Sequence, residues 1–238
     1  MPYVLSTITS MSNIAFISDI HGNLPALTSV WKDIQSRKID RVVCLGDLVG
    51  YYSQINEVIA LLRQNNVTCL MGNHDYALAF NRGIIHRSRT CTNVLTKQLT
   101  YIQQDHLEFL KTLPQSLEIE DGTNTILCVH GGLNDAVDEY LGPLNEAYFT
   151  GLDKKITHVV TAHDHKARIQ DFSTIHYANS GSVGQPRDHN PLAGYVVYEA
   201  GKFEIVRVAY TIDETQTAMI QHGFPTYISD ILYHGDTL

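Results

Sequence analysis

The chain has 238 residues, enough for one large domain, and 44% of them are hydrophobic, which can fill a substantial core. Its net charge of -8 argues against a general nucleic-acid or membrane-surface binder, both of which need a positive face, and suits a site that takes up cations. No stretch approaches the roughly 18 apolar residues of a membrane span, and residues 1–12 lack the basic and apolar regions of a signal peptide, so they read as a loose lead-in.

Residues 14–17 form a short apolar run that reads as a strand, followed by a polar loop over 18–23. Leu24, Leu27, Val30, Trp31 and Ile34 then recur at helical spacing, with Pro25 suited to the first turn. A second strand over 41–45 ends in Gly46-Asp47. Ser53 stands as a candidate cap for a helix presenting Ile55, Val58, Ile59 and Leu62. A third strand over 67–71 ends in Gly72-Asn73-His74-Asp75. The order β-α-β-α-β implies a parallel sheet with right-handed crossovers.

Residues 76–114 change to helical spacing, stopped by Pro114, and read as a helical cap or lid. Asp121-Gly122 predicts a hairpin between strands over 116–120 and 125–129. Further short strands are expected over 156–161, at Ile169, and over 175–178, 194–198 and 203–208, with Ala200-Gly201 as a turn. The chain from about 212 onward reads as helical and peripheral. The fold class expected is α/β (α+β): one domain over 1–238, a two-sheet β-sandwich flanked by helices with a helical lid insertion. The four cysteines, Cys44, Cys69, Cys91 and Cys128, form no C-x-x-C pair and read as buried reduced thiols, consistent with a cytoplasmic setting.

The strand ends share one chemistry. Asp19-x-His21, Gly46-Asp47, Gly72-Asn73-His74-Asp75, His130-Gly131 and His163-x-His165 all place carboxylate, amide or imidazole where a strand runs out. Open α/β sheets put their sites at such ends. In an extended Asp-x-His both side chains point to one side, because strand side chains alternate. Two divalent cations a few ångströms apart need nitrogen and oxygen ligands and one shared carboxylate, and Asp47 is the candidate bridge. Taken singly, each histidine reads as a hydrogen-bonded structural residue. The ordered set is what points to metal.

In that order and spacing these motifs resemble the calcineurin-like metallophosphoesterase superfamily, and within it the small bacterial and archaeal phosphodiesterases. The likeness runs from about residue 13 to 208 and includes Asn179-Ser180-Gly181-Ser182-Val183-Gly184-Gln185-Pro186-Arg187. It implies that Asp19, His21, Asp47 and His165 hold one metal and Asp47, Asn73, His130 and His163 a second. The metals would be Mn first, with Fe, Zn, Co or Ni as alternatives, and a bridging water would act as nucleophile. His74 would protonate the leaving group and Asp75 fix its tautomer; Asp75 as a helix N-cap is a compatible second role. The family usually has glycine where Ala162 precedes His163, which requires negative φ there or some strain. Asp164 either faces solvent or pairs with Lys166 or Arg168.

The implied function is a phosphoric-ester hydrolase acting on a small phosphoester or nucleotide-like substrate, a phosphodiesterase before a phosphomonoesterase, nucleotide or protein phosphatase. A non-catalytic interaction scaffold on the same fold is the alternative of another class, and the filled ligand positions oppose it. A phosphate-cradling or dinucleotide fingerprint is absent after the first strand. Candidate substrate contacts are Arg187, as phosphate contact or loop anchor, and a basic patch of Arg82, His86, Arg87 and Arg89 that could hold a second phosphate or a carboxylate, or simply be a solvated helix start. Tyr51 and Tyr52 could stack a base or pack on a neighbouring loop. Of the remaining histidines, His189 stands nearest these motifs.

Overall fold

The computed structural model describes residues 4–8, 13–83 and 88–237. Two sheets lie face to face. The first, from the front of the chain, has the order β11-β10-β2-β3-β4. Here β2 (Ile14–Ile17), β3 (Arg41–Cys44) and β4 (Thr68–Cys69) are parallel, while β10 (Ala193–Glu199) and β11 (Lys202–Val208) form an antiparallel hairpin that joins β2. The second has the order β1-β5-β6-β7-β9-β8, built from β1 (Val4–Ile8), β5 (Ser116–Asp121), β6 (Asn124–Val129), β7 (His158–Thr161), β8 (Arg168–Asp171) and β9 (His176–Asn179).

The alternation along β2 explains why its sequence is wholly apolar. Ile14 and Phe16 face the second sheet and pack with Leu117, Ile119, Ile126 and Val160. Ala15 and Ile17 face outward, into a core shared with Val30 and Ile34 of α1 (Leu24–Ser36) and Val58, Ile59 and Leu62 of α2 (Ile55–Gln64). A strand buried on both faces has no polar side to show. The helical stretch resolves into α3 (Asn73–Phe80), α4 (Arg89–Gln98) and α5 (Gln104–Lys111).

Three local expectations change. The lead-in contains β1, which pairs in parallel with β5 at the sheet edge. The cap of α2 falls on Gln54, whose side chain does not bond the helix, and Ser53 instead lies buried before it. The chain after 212 is not merely peripheral: Met219 of α6 (Ile212–Gln221), Phe224, Ile228 of α7 (Tyr227–Asp230) and Leu232 form a core with Tyr52, one loop away from Asp47. Among the described residues no helix is long and apolar enough to cross a membrane, and all four cysteines are buried free thiols.

The loop after β9 closes over the loop after β2. Val183 N–H donates to Ser18 O and Gly184 N–H to Asp19 O, each at 2.9 Å, and Ser182 Oγ donates to Asp19 O at 2.7 Å. The approach is so close that a Cβ on Gly184 would fall 1.9 Å from Ile20 O. Gly184→Ala must therefore push the two loops apart, and it is expected to lower stability by about 1–3 kcal/mol, the usual cost of overpacking. Urea denaturation measures this; an unchanged midpoint would show that the loops separate freely.

Candidate metal centre

The loops leaving β2, β3, β6 and β7, together with the start of α3, converge at one end of the sandwich. Seven side chains meet there: Asp19, His21, Asp47, Asn73, His130, His163 and His165, all at most 2% exposed. Asp19, His21 and His165 form one set in which a ligand atom from each lies within 4.8 Å of the others, and Asp47, His130 and His163 form another. Asp47 Oδ2 joins the two, at 3.6 Å from His21 Nε2 and 3.5 Å from His130 Nε2. Asn73 Oδ1 is 3.3 Å from His130 Nε2.

The orientation of the rings is fixed from behind. His21 Nδ1–H donates to Val49 O at 2.9 Å, His130 Nδ1–H to Leu45 O at 3.0 Å and His165 Nδ1–H to Gln185 O at 2.6 Å. A carbonyl only accepts, so each ring keeps its proton at Nδ1 and turns the Nε2 lone pair inward. The His21 and His165 Nε2 atoms then face each other at 3.2 Å, with Asp19 Oδ1 3.3 Å from His165 Nε2. Lone pairs and carboxylate oxygens in such contact need a cation between them, a proton or a metal ion. Asp19 Oδ1, Asp47 Oδ2 and His163 Nε2 are buried without a hydrogen-bond partner. Their second atoms are committed elsewhere: Asp19 Oδ2 accepts from Ser18 Oγ and His163 N, and Asp47 Oδ1 accepts from His74 N at 2.8 Å. The donor set of imidazole, carboxylate and amide oxygen, without thiolate, fits divalent Mn, Fe, Zn or Co.

The titrations report the same crowding. Burial alone would lower His130, but the Asp47 carboxylate overrides it and holds the ring up at about 9. His21 falls to about 4 and His163 to about 3, in both cases chiefly through burial. Burial alone would raise Asp47 and Asp19, yet the surrounding imidazoles hold both carboxyls well below the ordinary range.

The backbone corrects the picture of extended Asp-x-His pairs. Asp19, His21, Asp47, His163 and His165 have φ of +49°, +52°, +56°, +71° and +60°, all in the left-handed region. Ala162 keeps negative φ, so the family glycine is not needed there, and the strain sits on the histidines that follow. Left-handed non-glycine residues cost about 1 kcal/mol or more each and persist only where surroundings enforce them. Here Ile20 and His21 N–H donate to Asp47 O at 2.9 and 3.0 Å, and Asp19 N–H to Gly46 O at 3.0 Å.

Asp75 is fully buried in the first turn of α3. Its carboxylate accepts four backbone amides: Asp47 N at 2.7 Å, Leu48 N at 2.9 Å, Val49 N at 3.2 Å and Gly72 N at 3.0 Å. It is the N3 residue of α3 and also the anchor of the Asp47 loop. Burial, then the neighbouring Asp47 charge, pushes its carboxyl up to about 7, while the amides pull the other way. His74 itself lies against the centre, Nε2 4.0 Å from Asp47 Oδ2, and Nδ1 is 3.8 Å from Cys91 Sγ.

Of the substrate candidates, Arg187 stands beside the centre, its backbone N–H donating to His165 O at 3.1 Å. Arg89 begins α4, exposed, as is Arg82. His86 and Arg87 lie outside the described residues. Tyr51 covers the His21 and His74 rings at centroid distances of 4.8 and 5.1 Å. Tyr52 is fully buried and is a packing residue. Asp164 pairs with Arg168, and exposed His189 pairs with Asp236. Three residues went unmarked in the sequence. Tyr140 stacks on His163 at 3.8 Å, Asp138 Oδ1 is 3.6 Å from His163 Nε2, and Gln98 of α4 clamps Gly50 and Tyr52 through three hydrogen bonds. They lie in stretches without motif, and only the buried polar Gln98 on an otherwise apolar helix face left a signal.

The model for the calcineurin-like phosphoesterase superfamily domain matches residues 12–202. The uncharacterized protein MJ0912 of Methanocaldococcus jannaschii is 31% identical over 240 residues, covering 94% of this chain and 98% of its own. A metallophosphoesterase from Sphaerobacter thermophilus superposes with a TM-score of 0.75 at 29% identity, covering 95% of this chain and 100% of its own. The hypothetical protein PH1004 from Pyrococcus horikoshii shares the fold, with a TM-score of 0.84 at 22% identity over 96% of this chain and 100% of its own.

Asp75→Ala would leave four buried amides without their acceptor. It is expected to cost about 3 kcal/mol or more, read as a lowered urea midpoint in metal-free protein; unchanged stability would mean the amides find water instead.

Proposed function

The chain belongs to the calcineurin-like phosphoesterase superfamily and is a metal-dependent phosphoester hydrolase, and from that premise we propose a dinuclear centre that cleaves phosphodiesters of small, nucleotide-like molecules. Asp19, His21, Asp47 and His165 hold one ion in this reading, and Asp47, Asn73, His130 and His163 the other. The single observation that carries it is the inward-facing set of Nε2 lone pairs and orphaned carboxylate oxygens, locked by hydrogen bonds on the far side of each ring.

The bound ions would supply Lewis acidity toward the phosphoryl oxygens and lower the pKa of the attacking water. The rest is the work of the chain. Asp47 contributes the one carboxylate oxygen common to both ligand sets. Asp75 keeps that carboxylate in place through the amides of residues 47–49. His74 lines a cavity of about 500 Å³ with Tyr51, Ser88, Cys91 and Tyr140. From there its imidazolium hands a proton to the leaving oxygen. Gly83, Ser88 and Cys91, from the stretch after α3 and the start of α4, line one side of this cavity. Buried free cysteines accord with a reducing compartment.

Metal analysis of the purified protein should find two divalent ions per chain, removable by chelator and restored by Mn. The restored protein should hydrolyse bis-p-nitrophenyl phosphate faster than p-nitrophenyl phosphate. No turnover with any of Mn, Fe, Zn, Co or Ni would sink the reading. Asp47→Asn should hold less than one ion per chain and lose about 10³-fold in kcat/KM. His74→Ala should keep its metal and lose about 10²–10³-fold in kcat; an unchanged kcat would remove His74 from the proton transfer.

A further inference from the structure

Arg187 is a cation that feels the Asp19 carboxylate only from beyond ion-pair distance. Its side chain is mostly enclosed, yet among the described residues no carboxylate comes within ion-pair distance of it, and its Nε is buried without an acceptor. Its described polar partners are neutral: Nη2 donates to Gln185 Oε1 at 2.6 Å and to Tyr51 OH at 3.2 Å, and the guanidinium lies 5.5 Å from the Tyr51 ring centre. Burying a charge without a counter-ion is costly. Every other arginine packed nearby has its carboxylate: Arg168 has Asp164 and Arg207 has Asp188.

Arg187 also lines a cavity of about 570 Å³, with Tyr140, Pro143, Asp164, Lys166 and Arg168. Three cationic side chains there face one carboxylate, in a chain whose net charge is -8. Tyr140 is common to this cavity and the one that His74 lines, and its ring stacks on the candidate ligand His163. Tyr140, beside His163, therefore stands where two cavities of different character adjoin. A leaving group that takes its proton from His74 departs through the His74 side, so the retained half of a substrate turns toward Arg187.

We propose that Arg187, seconded by Lys166, receives a second anionic group on the retained half of the substrate, making the preferred substrates phosphodiesters that carry a further phosphate or carboxylate away from the scissile bond. This rests on the hydrolase reading above. A guanidinium offers paired N–H donors to such an oxyanion, and Tyr51 and Gln185 hold it flat for that contact. The competing account is that Arg187 only anchors Tyr51.

Two matched ester pairs separate these accounts. Thymidine 5′-(p-nitrophenyl phosphate) with and without a 3′-phosphate differ only in a second phosphate. Carboxymethyl and ethyl p-nitrophenyl phosphate differ only in a carboxylate. In each, water replaces p-nitrophenolate at phosphorus. The Mn-loaded wild type should favour the anionic member of at least one pair by about tenfold in kcat/KM, mostly through KM. The pair that responds identifies the anion. Arg187→Gln should bring that ratio near one, and Arg187→Lys should retain part of it. Loss of the same factor for both members would make Arg187 an anchor and overturn the proposal, as would a wild-type ratio near one in both pairs. Calorimetric titration of thymidine 3′,5′-bisphosphate against thymidine 5′-phosphate gives a readout without turnover. Wild type should bind the bisphosphate about tenfold tighter and Arg187→Gln should not; equal wild-type affinities, with no response from the carboxylate ester pair, overturn the proposal. If no ester is cleaved, the hydrolase reading fails on its own and the titration still decides Arg187.

Discussion

Two imidazole nitrogens, His21 Nε2 and His165 Nε2, face one another at 3.2 Å because neither ring can turn away. Each is pinned at Nδ1 by a main-chain carbonyl that can only accept. Repulsion between lone pairs is thus built into the folded chain, and with it a demand for positive charge at that point. The second cluster repeats the device. The His130 proton at Nδ1 is committed to Leu45 O, so Nε2 confronts Asp47 Oδ2 and Asn73 Oδ1. In the absence of metal a proton meets the demand, which is why His130 titrates so high. The same arrangement that makes a proton stay makes a divalent ion, with twice the charge and several ligand directions, a far better occupant.

Holding such a constellation requires backbone conformations that the residues themselves disfavour. The left-handed φ values at Asp19, His21, Asp47, His163 and His165 turn five side chains toward one volume within a few residues of their strand ends. The opposing force comes from the sandwich. β2 is buried on both faces and lies in register with β3, whose last two residues are buried too, Ile17 opposite Cys44, so their loops leave the sheet side by side and can bond to each other. Asp75 then ties the Asp47 loop to the start of α3. Strain at the site is balanced by hydrophobic burial of the strands and by one buried carboxylate.

What the sequence displayed and what it hid follow from this division. Apolar runs such as 14–17 and 41–45 identify buried parallel strands directly, and polar residues that abruptly end them mark the site, because such chemistry has no other reason to stand beside a core. Asp19-x-His21 was legible as a pair, but not as a left-handed turn, since that conformation is imposed by Gly46 O and Asp47 O from another loop. β1 was hidden because an edge strand needs no continuous apolar pattern of its own. The role of Asp75 was ambiguous for a related reason: its four partners are main-chain amides, which no side-chain motif records. Tyr140 reaches His163 from a loop whose path depends on the turn at Asp135 and Glu139, where Glu139 collects Asn134 N, Asn134 Nδ2 and Tyr148 OH.

The loop after β9 joins these two levels. Gln185 gives its carbonyl to His165 Nδ1, its amide nitrogen to Tyr52 OH at 3.1 Å and its side-chain oxygen to Arg187. One residue thereby sets the direction of a candidate metal ligand, fastens the loop to the C-terminal core around Tyr52, and holds the Arg187 guanidinium beside Tyr51. Gly184, immediately before it, admits the Asp19 loop at a distance that no side chain would permit. The position of the ligand and the position of the cation are therefore not independent. A displacement of this loop that moved Arg187 by an ångström would also rotate His165, so in this fold substrate reach and metal geometry are properties of the same short stretch of chain.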